Sequence, residues 1–337
     1  MQVRSHLRVV LRIVDNLETM ITTTPSEPIL SEAAYWLMSG GRFKPATALK
    51  GILGGLSVDP GDRGELLAML LLTIARDIAV GSPDKYGVPQ NGFRWCSVKT
   101  FLSGLFVESA LTDAIGDKRS AMEKVLGDGK LYFNHFVKVH EFGMLNDKYI
   151  MRLMTRGAAI FCGNNQEGVD LIIPFTRGGL TRKDLGVILV QVENNRTYTA
   201  NPRPDEFDRM FVEGLSNIPT VRLFFALATN HNCLVVDTPS PPPHAFNFWI
   251  AGLSSNILRP IQDEGEGLWE GLLDASYGWE EVYAEHGEED CEKMTNIRRS
   301  MYPGGATDNA HWRSWCNEED IEDVDVDVVD DDMDMEE

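Results

Sequence analysis

Read for alternation of apolar and polar positions, the chain falls into two parts of different character. Residues 1–58 read as helical, with turns at Pro25-Ser26-Glu27-Pro28 and Gly40-Gly41. Asp59-Pro60-Gly61-Asp62 is a turn that opens a helix over residues 65–80. Asp62 stands at its cap and Glu65 lies three residues on, the spacing of a capping box. Gly81-Ser82-Pro83-Asp84 ends that helix. Residues 97–126 carry the helical period again, up to the stop Gly127-Asp128-Gly129, and residues 131–139 are aromatic-rich and fit either period. Asn146 or Asp147 can cap a further helix running to Gly157.

Beyond Gly157 the period changes from helix to strand. Residues 158–162, 169–175 and 187–193 are short apolar, β-branched runs bounded by turn residues. Pro204-Asp205-Glu206 opens a helix to about residue 215, and residues 221–228 and 233–237 are two more buried-strand candidates. Ser240-Pro241-Pro242-Pro243 is a rigid linker or turn, and residues 246–250 fit an edge strand. The order predicts an α/β (α+β) chain with a mainly helical region over residues 1–145 and an α/β core over 146–260.

Composition changes this picture at one end. The chain has 337 residues, 43% of them hydrophobic, which is enough for a core and excludes wholesale disorder. Its formal charge is −20, which argues against a simple basic nucleic-acid-binding module. Yet thirteen acids and no base fall between Glu318 and Glu337, and without them the charge is −7. Seven more acids lie between Glu280 and Glu292, so residues 1–279, with 27 bases and 30 acids, are close to neutral. The end of the chain therefore reads as an acidic, Trp-rich extension over 261–317 and a disordered acidic tail over 318–337. Such a tail confers solubility; alternatively it recruits basic proteins, or mimics nucleic acid. Five scattered cysteines, no signal-peptide pattern and no apolar run near the ~20 residues that span a bilayer read as an intracellular protein, cytoplasmic or nuclear.

The candidate chemistry sits where the strands begin and end. Asp170, in Gly168-Val169-Asp170, leads one strand, and Gln191-Val192-Glu193 ends the next, with Gln191 and Glu193 on one face. Oxygen ligands gathered there suit a hard cation such as Mg²⁺. This order of helix, three strands, helix and strand, over about residues 146–237, resembles the PD-(D/E)xK (restriction-endonuclease-like) nuclease superfamily. The stretches Asp59-Pro60-Gly61-Asp62-Arg63-Gly64-Glu65-Leu66, Asn134-His135-Phe136-Val137-Lys138, Arg156-Gly157-Ala158-Ala159 and Val190-Gln191-Val192-Glu193-Asn194 are also similar to a group of fungal proteins of basidiomycete type.

The nuclease resemblance implies a mixed sheet flanked by helices, with Asp170, Gln191 and Glu193 as the catalytic positions. It implies a Mg²⁺ held by Asp170, Gln191 and a helix carboxylate, for which Glu65 is the candidate. It departs from the pattern at Glu193, where the superfamily carries a Lys; Lys183 or Arg196 would have to substitute. A carboxylate there removes the group that orients water and stabilises transition-state charge. The expectation is a degenerate nuclease-like core that binds nucleic acid, with an active Mg²⁺-dependent nuclease as the alternative.

Other motifs weigh less. His286, Cys291, His311 and Cys316 form two similarly spaced pairs that could ligate Zn²⁺, though more loosely than in zinc fingers. His135 reads first as a hydrogen-bonding core residue. No phosphate-binding glycine loop, dinucleotide fingerprint or Gly-x-Ser-x-Gly elbow is present.

Overall fold

Every element of the core is arranged around one long apolar strand, β8 (Leu185–Glu193), which is buried from Leu185 to Val190. An apolar run with both faces covered needs helices on each side, and the sheet has them. The structure, a computed structural model, describes residues 9–13, 20–23, 31, 34–35, 43–53, 60–81, 94–139, 142–163, 168–215, 218–238 and 245–274. They belong to a unit spanning residues 1–277; a second unit, 278–337, lies outside the described residues. So do the acidic tail and the four candidate zinc ligands.

The first elements differ from the helical expectation. β1 (Val9–Ile13) and β2 (Met20–Thr23) pair antiparallel, in line with their β-branched runs Val9-Val10 and Ile21-Thr22-Thr23. Helix α1 (Pro45–Leu53) follows. Its first amides are satisfied from far along the chain: the Glu264 carboxylate accepts from Ala46 N and Thr47 N, each at 2.9 Å. Helix α2 (Pro60–Val80) starts five residues before the expected position, with Pro60 opening the first turn. Asp62 therefore lies inside the helix rather than at its cap, and Glu65 is not the third residue of a capping box. Leu67, Ala68, Leu71, Leu72 and Ala75 form the fully buried stripe of α2.

Three short helices then follow the predicted helical stretch: α3 (Val98–Leu105), α4 (Glu108–Ile115) and α5 (Arg119–Leu126). Ser97 caps α3 by accepting from Thr100 N, and Gly127, at φ +53°, ends α5. The two-residue strand β3 (Cys96–Ser97) lies just before α3. The ambiguous segment after α5 becomes β4 (Lys130–Leu131) and β5 (His135–Lys138). Asn146 caps α6 (Asp147–Thr155) through Tyr149 N at 3.1 Å.

The remaining strands are β6 (Ala158–Phe161), β7 (Leu171–Thr176), β9 (Thr220–Ala226), β10 (Cys233–Asp237) and β11 (Ala245–Ala251). The helix expected from Pro204 is shorter than its pattern: α7 (Pro204–Arg209) is followed by a single 3₁₀ turn at Glu213–Leu215. β6, β7 and β8 form an antiparallel meander, and β9 lies parallel to β8 after the α7 crossover. β7 shares its other edge between two partners, β6 at Leu171 and Ile172 and β4 at Phe175 and Thr176. β11 is not the edge strand its position after three prolines suggests. It lies parallel to β9, with β10 outside it, and all seven of its residues are buried. Seven consecutive non-charged residues with three aromatics suit the middle of a sheet, not its rim.

The sheet divides two apolar layers. Val190 and Val192 pack with α2, α3 and the last helix, α8 (Glu266–Asp274), whose Trp269 is fully buried. Val187 and Leu189 pack with α6, α7 and the ring cluster Tyr198, Phe207, Phe224 and Trp249. Phe224 and Trp249 stack at 4.4 Å with a 1° interplanar angle, beyond simple area burial. Among the described residues no helix is long and apolar enough to cross a membrane.

Helix α3 crosses α2 closely at Gly104, where an added Cβ would stand 2.3 Å from the Ala75 carbonyl oxygen of α2. Gly104→Ala must push α3 off α2 and is expected to cost about 1–3 kcal/mol in urea unfolding. Gly143→Ala, which meets nothing within 4 Å, serves as its near-neutral control. Equal stability of the two variants would contradict this packing.

Candidate functional site

A row of backbone hydrogen bonds leads across four strands to the end of the sheet where the candidate residues lie. Val139 N donates to Phe161 O, Cys162 N to Asp170 O and Asp170 N to Val190 O, each at 2.8 Å. This ladder sets Asp170 just outside β7, between Cys162 and Gln191. Gly168 makes the approach possible. Its φ is +83°, and a Cβ there would lie 2.1 Å from the Arg209 carbonyl oxygen, so only glycine lets the end of α7 sit against this loop.

Asp170 is not the solvated strand-start residue that its position alone suggests. Its Oδ2 accepts from Val192 N at 2.6 Å, closing the ladder at the end of β8. Burial pushes its carboxyl up to about 7. The Val192 N–H opposes that rise, the Glu193 charge adds to it, and the Lys138 ammonium opposes it. Gln191 and Glu193 share the face that carries Val187 and Leu189. Gln191 Nε2 donates to Glu193 Oε1 at 3.3 Å, while Gln191 Oε1 is buried with no hydrogen-bond partner.

Burial also raises the Glu193 carboxyl, and the nearby Glu206 charge adds to this. Glu206, buried in the first turn of α7, accepts from Tyr198 OH at 3.0 Å and pairs with Arg209 at 3.8 Å. Burial and these two carboxylates hold the Tyr198 phenol above its ordinary range.

Glu65 reaches the same sheet end from the opposite layer. The first turn of α2 closes on the end of β8: a Cβ on Gly64 would lie 3.2 Å from Asn194 Cβ and 3.3 Å from Val192 Cγ1. From there Glu65, together with Asp170, raises the buried Cys162 thiol, whose main perturbation is burial. Glu65 and the Gln191–Glu193 pair thus flank Asp170 from the two sides of the sheet. Among the described residues, no three His, Cys, Asp or Glu side chains are grouped so that they could hold a metal ion. A cation at Asp170 would rest on carboxylate and amide oxygens together.

The two substitute cations suggested by sequence proximity are placed differently. Lys183 lies in the β7–β8 hairpin, at the start of β8 and so at the far end from Glu193. Arg196 follows β8 in the turn after Asn194. Sequence proximity misses Lys138, on β5, which is near enough to act on both Asp170 and Cys162. It also misses Glu206, whose first-turn helix position usually signals solvent. His135 is hydrogen-bonded, its Nδ1 lying 2.5 Å from Asn134 Oδ1.

A family model described as a domain of unknown function, DUF8736, matches residues 1–209. The chain belongs to the DUF8736 family. The match ends at the last residue of α7 and so includes Glu65, Lys138, Asp170, Gln191 and Glu193, but not β9 to β11. No curated protein and no solved structure matches the chain.

The half-buried Asp170 makes stability fall as pH rises. Below about pH 4 it is protonated whether folded or unfolded. Between 3.8 and about 7 the folded chain keeps a proton that the unfolded chain releases, so folding is progressively penalised across that window. Asp170→Asn keeps an acceptor for Val192 N and removes the titration. Urea unfolding is expected to find it more stable than the parent above about pH 7, by up to about 4 kcal/mol, with the gain vanishing near pH 4. A stability difference that does not change with pH would be inconsistent with a desolvated Asp170.

Proposed function

We propose that the core is a degenerate PD-(D/E)xK-like nuclease fold that binds nucleic acid at the Asp170 end of its sheet without cleaving it. The reading is supported by the antiparallel meander β6–β7–β8 between α6 and α7, with β9 returning parallel to β8. The observation that carries it is the convergence of Asp170, Gln191 and Glu193 at one sheet end, with Glu193 at the position where the resembled family carries Lys. With Glu193 at that position, β8 does not bring the charge that would steady an attacking water and the developing phosphoryl charge.

The buried, unpartnered Gln191 Oε1 favours a second reading, an active Mg²⁺-dependent nuclease. The oxygen donors fit a hard cation in kind: Asp170 and Gln191 would hold it, with Glu65 or Glu193 completing the set. Mg²⁺ would there polarise a phosphate and lower the pKa of a water. Around it, Asp170 holds the end of β8 in place through Val192 N, and Gln191 orients Glu193. Basic proteins recruited by residues 318–337 remain a separate proposal, for a segment outside the described residues.

Incubation of the full chain with labelled DNA and RNA in Mg²⁺ or Mn²⁺ separates the two readings. The binding reading expects complexes in fluorescence anisotropy and intact oligonucleotides on gels. It also expects Glu193→Lys to tighten binding by about tenfold, since a repulsive charge is replaced by an attractive one. Metal-dependent cleavage that Asp170→Ala abolishes would overturn it in favour of the nuclease.

A further inference from the structure

Helix α2 carries two apolar stripes. Leu67, Leu71 and Ala75 are fully buried in the core. Leu70, Ile74 and Ile78 recur every four residues beside them and are only half-buried. This second stripe lines a cavity of about 540 Å³, within the range that takes small organic ligands. Phe43 and Pro45, at the entry to α1, and Pro260, in the 3₁₀ turn Arg259–Ile261, line it from other segments. Tyr35 lines it too, and its hydroxyl donates to Gly81 O at 2.5 Å, just past the end of α2. The cavity shares no lining residue with the Asp170 end of the sheet.

Most polar groups of the lining are already committed. Thr73 Oγ1 donates to Met69 O of its own helix at 2.8 Å. Asp77 Oδ1 accepts from Arg76 Nε at 2.9 Å. Glu264 takes the first amides of α1. An occupant therefore gains little from hydrogen bonding along these walls, and the half-buried stripe favours an apolar body. Two lining charges, Lys44 and Asp263, are exposed and make no hydrogen bond or ion pair among the described residues.

These charges select the polar end of the occupant. Three carboxylates, Asp77, Asp263 and Glu264, line the cavity against the single ammonium of Lys44. An anionic head would meet Asp263 and Glu264, on short stems next to each other in the chain. A cationic head meets only Lys44, whose flexible four-carbon stem carries its charge out into water. The ring of Phe43, 42% exposed, adds an aromatic face suited to a cation.

We propose that this cavity binds a small amphiphilic amine, with its apolar body along Leu70, Ile74 and Ile78 and its ammonium on Asp263. Such a site is independent of nucleic-acid binding at the Asp170 end.

The test is isothermal titration calorimetry of the full chain at neutral pH with octylamine, octanol and octanoate, which share a body and differ in head charge. Octylamine is expected to bind about tenfold or more tighter than the other two, the usual effect of a charge-assisted hydrogen bond. Asp263→Asn, at an exposed position, is expected to weaken octylamine about tenfold and to leave octanol within about twofold. Ile74→Trp fills the cavity and is expected to abolish binding of both; should it fail to fold, Ile78→Trp is read in the same way. Octylamine affinity unchanged in Asp263→Asn, or retained in a folded tryptophan variant, places the amine on the acidic surface of the chain and overturns the assignment. So does a parent that binds no octylamine, or one that prefers octanoate and loses that preference in Lys44→Gln.

Discussion

The structure depends on the desolvation of β8. Six successive residues from Leu185 to Val190 are buried between two helical layers, and every backbone group along them must find a partner inside the sheet. β7 supplies those partners on one side and β9 on the other. A strand under that constraint has room for polar side chains only where the cover thins, at its end. Gln191 and Glu193 occur there. The Asp170 carboxylate takes the Val192 amide just before the first β7 residue, Leu171.

The same constraint explains why charges collect at this point. The start of α2, the ends of β5 and β6, the entry to β7 and the end of β8 all meet at one edge of the buried sheet. The strands among them carry their polar side chains toward their ends, where the backbone leaves the core. Glu65, Lys138, Asp170, Glu193 and Glu206 are brought together by strand and helix ends, not by a sequence motif. Burial then holds the two sheet carboxyls above their ordinary range. Perturbed carboxyls next to a cation are a frequent mark of functional sites, although structural ion networks produce them as well.

The layers have unequal roles. The α2 side joins distant parts of the chain: Glu264 caps α1, the Arg63 guanidinium is fully buried and donates to Leu272 O, and Trp269 of α8 is fully buried. The α6–α7 side is built from rings, with Tyr198, Phe207, Phe224 and Trp249 in mutual contact beside the Glu193–Glu206 pair. The α2 side thus ties distant segments to the sheet, and the α6–α7 side covers it with packed rings.

Local pattern was enough for much of this chain. β-branched runs bounded by glycine and asparagine located β6, β7 and β8, and Asn146 marked the start of α6, because those signals act within a few residues. The pairing of Asp170 with the end of β8 was also legible, since alternation along two neighbouring strands fixes which side chains share a face. Tertiary structure decided the rest. Val9–Ile13 and Met20–Thr23 form strands because each finds a partner in the other, which helical periodicity does not register. β11 became a central strand because both its neighbours are supplied by other parts of the chain. Lys138 reached the site through parallel pairing with β6, and Glu65 through the packing of Gly64 against Val192 and Asn194. Those contacts join residues tens of positions apart. Their free energy comes from burying surfaces that meet only after the chain has folded, so no short window of sequence contains it.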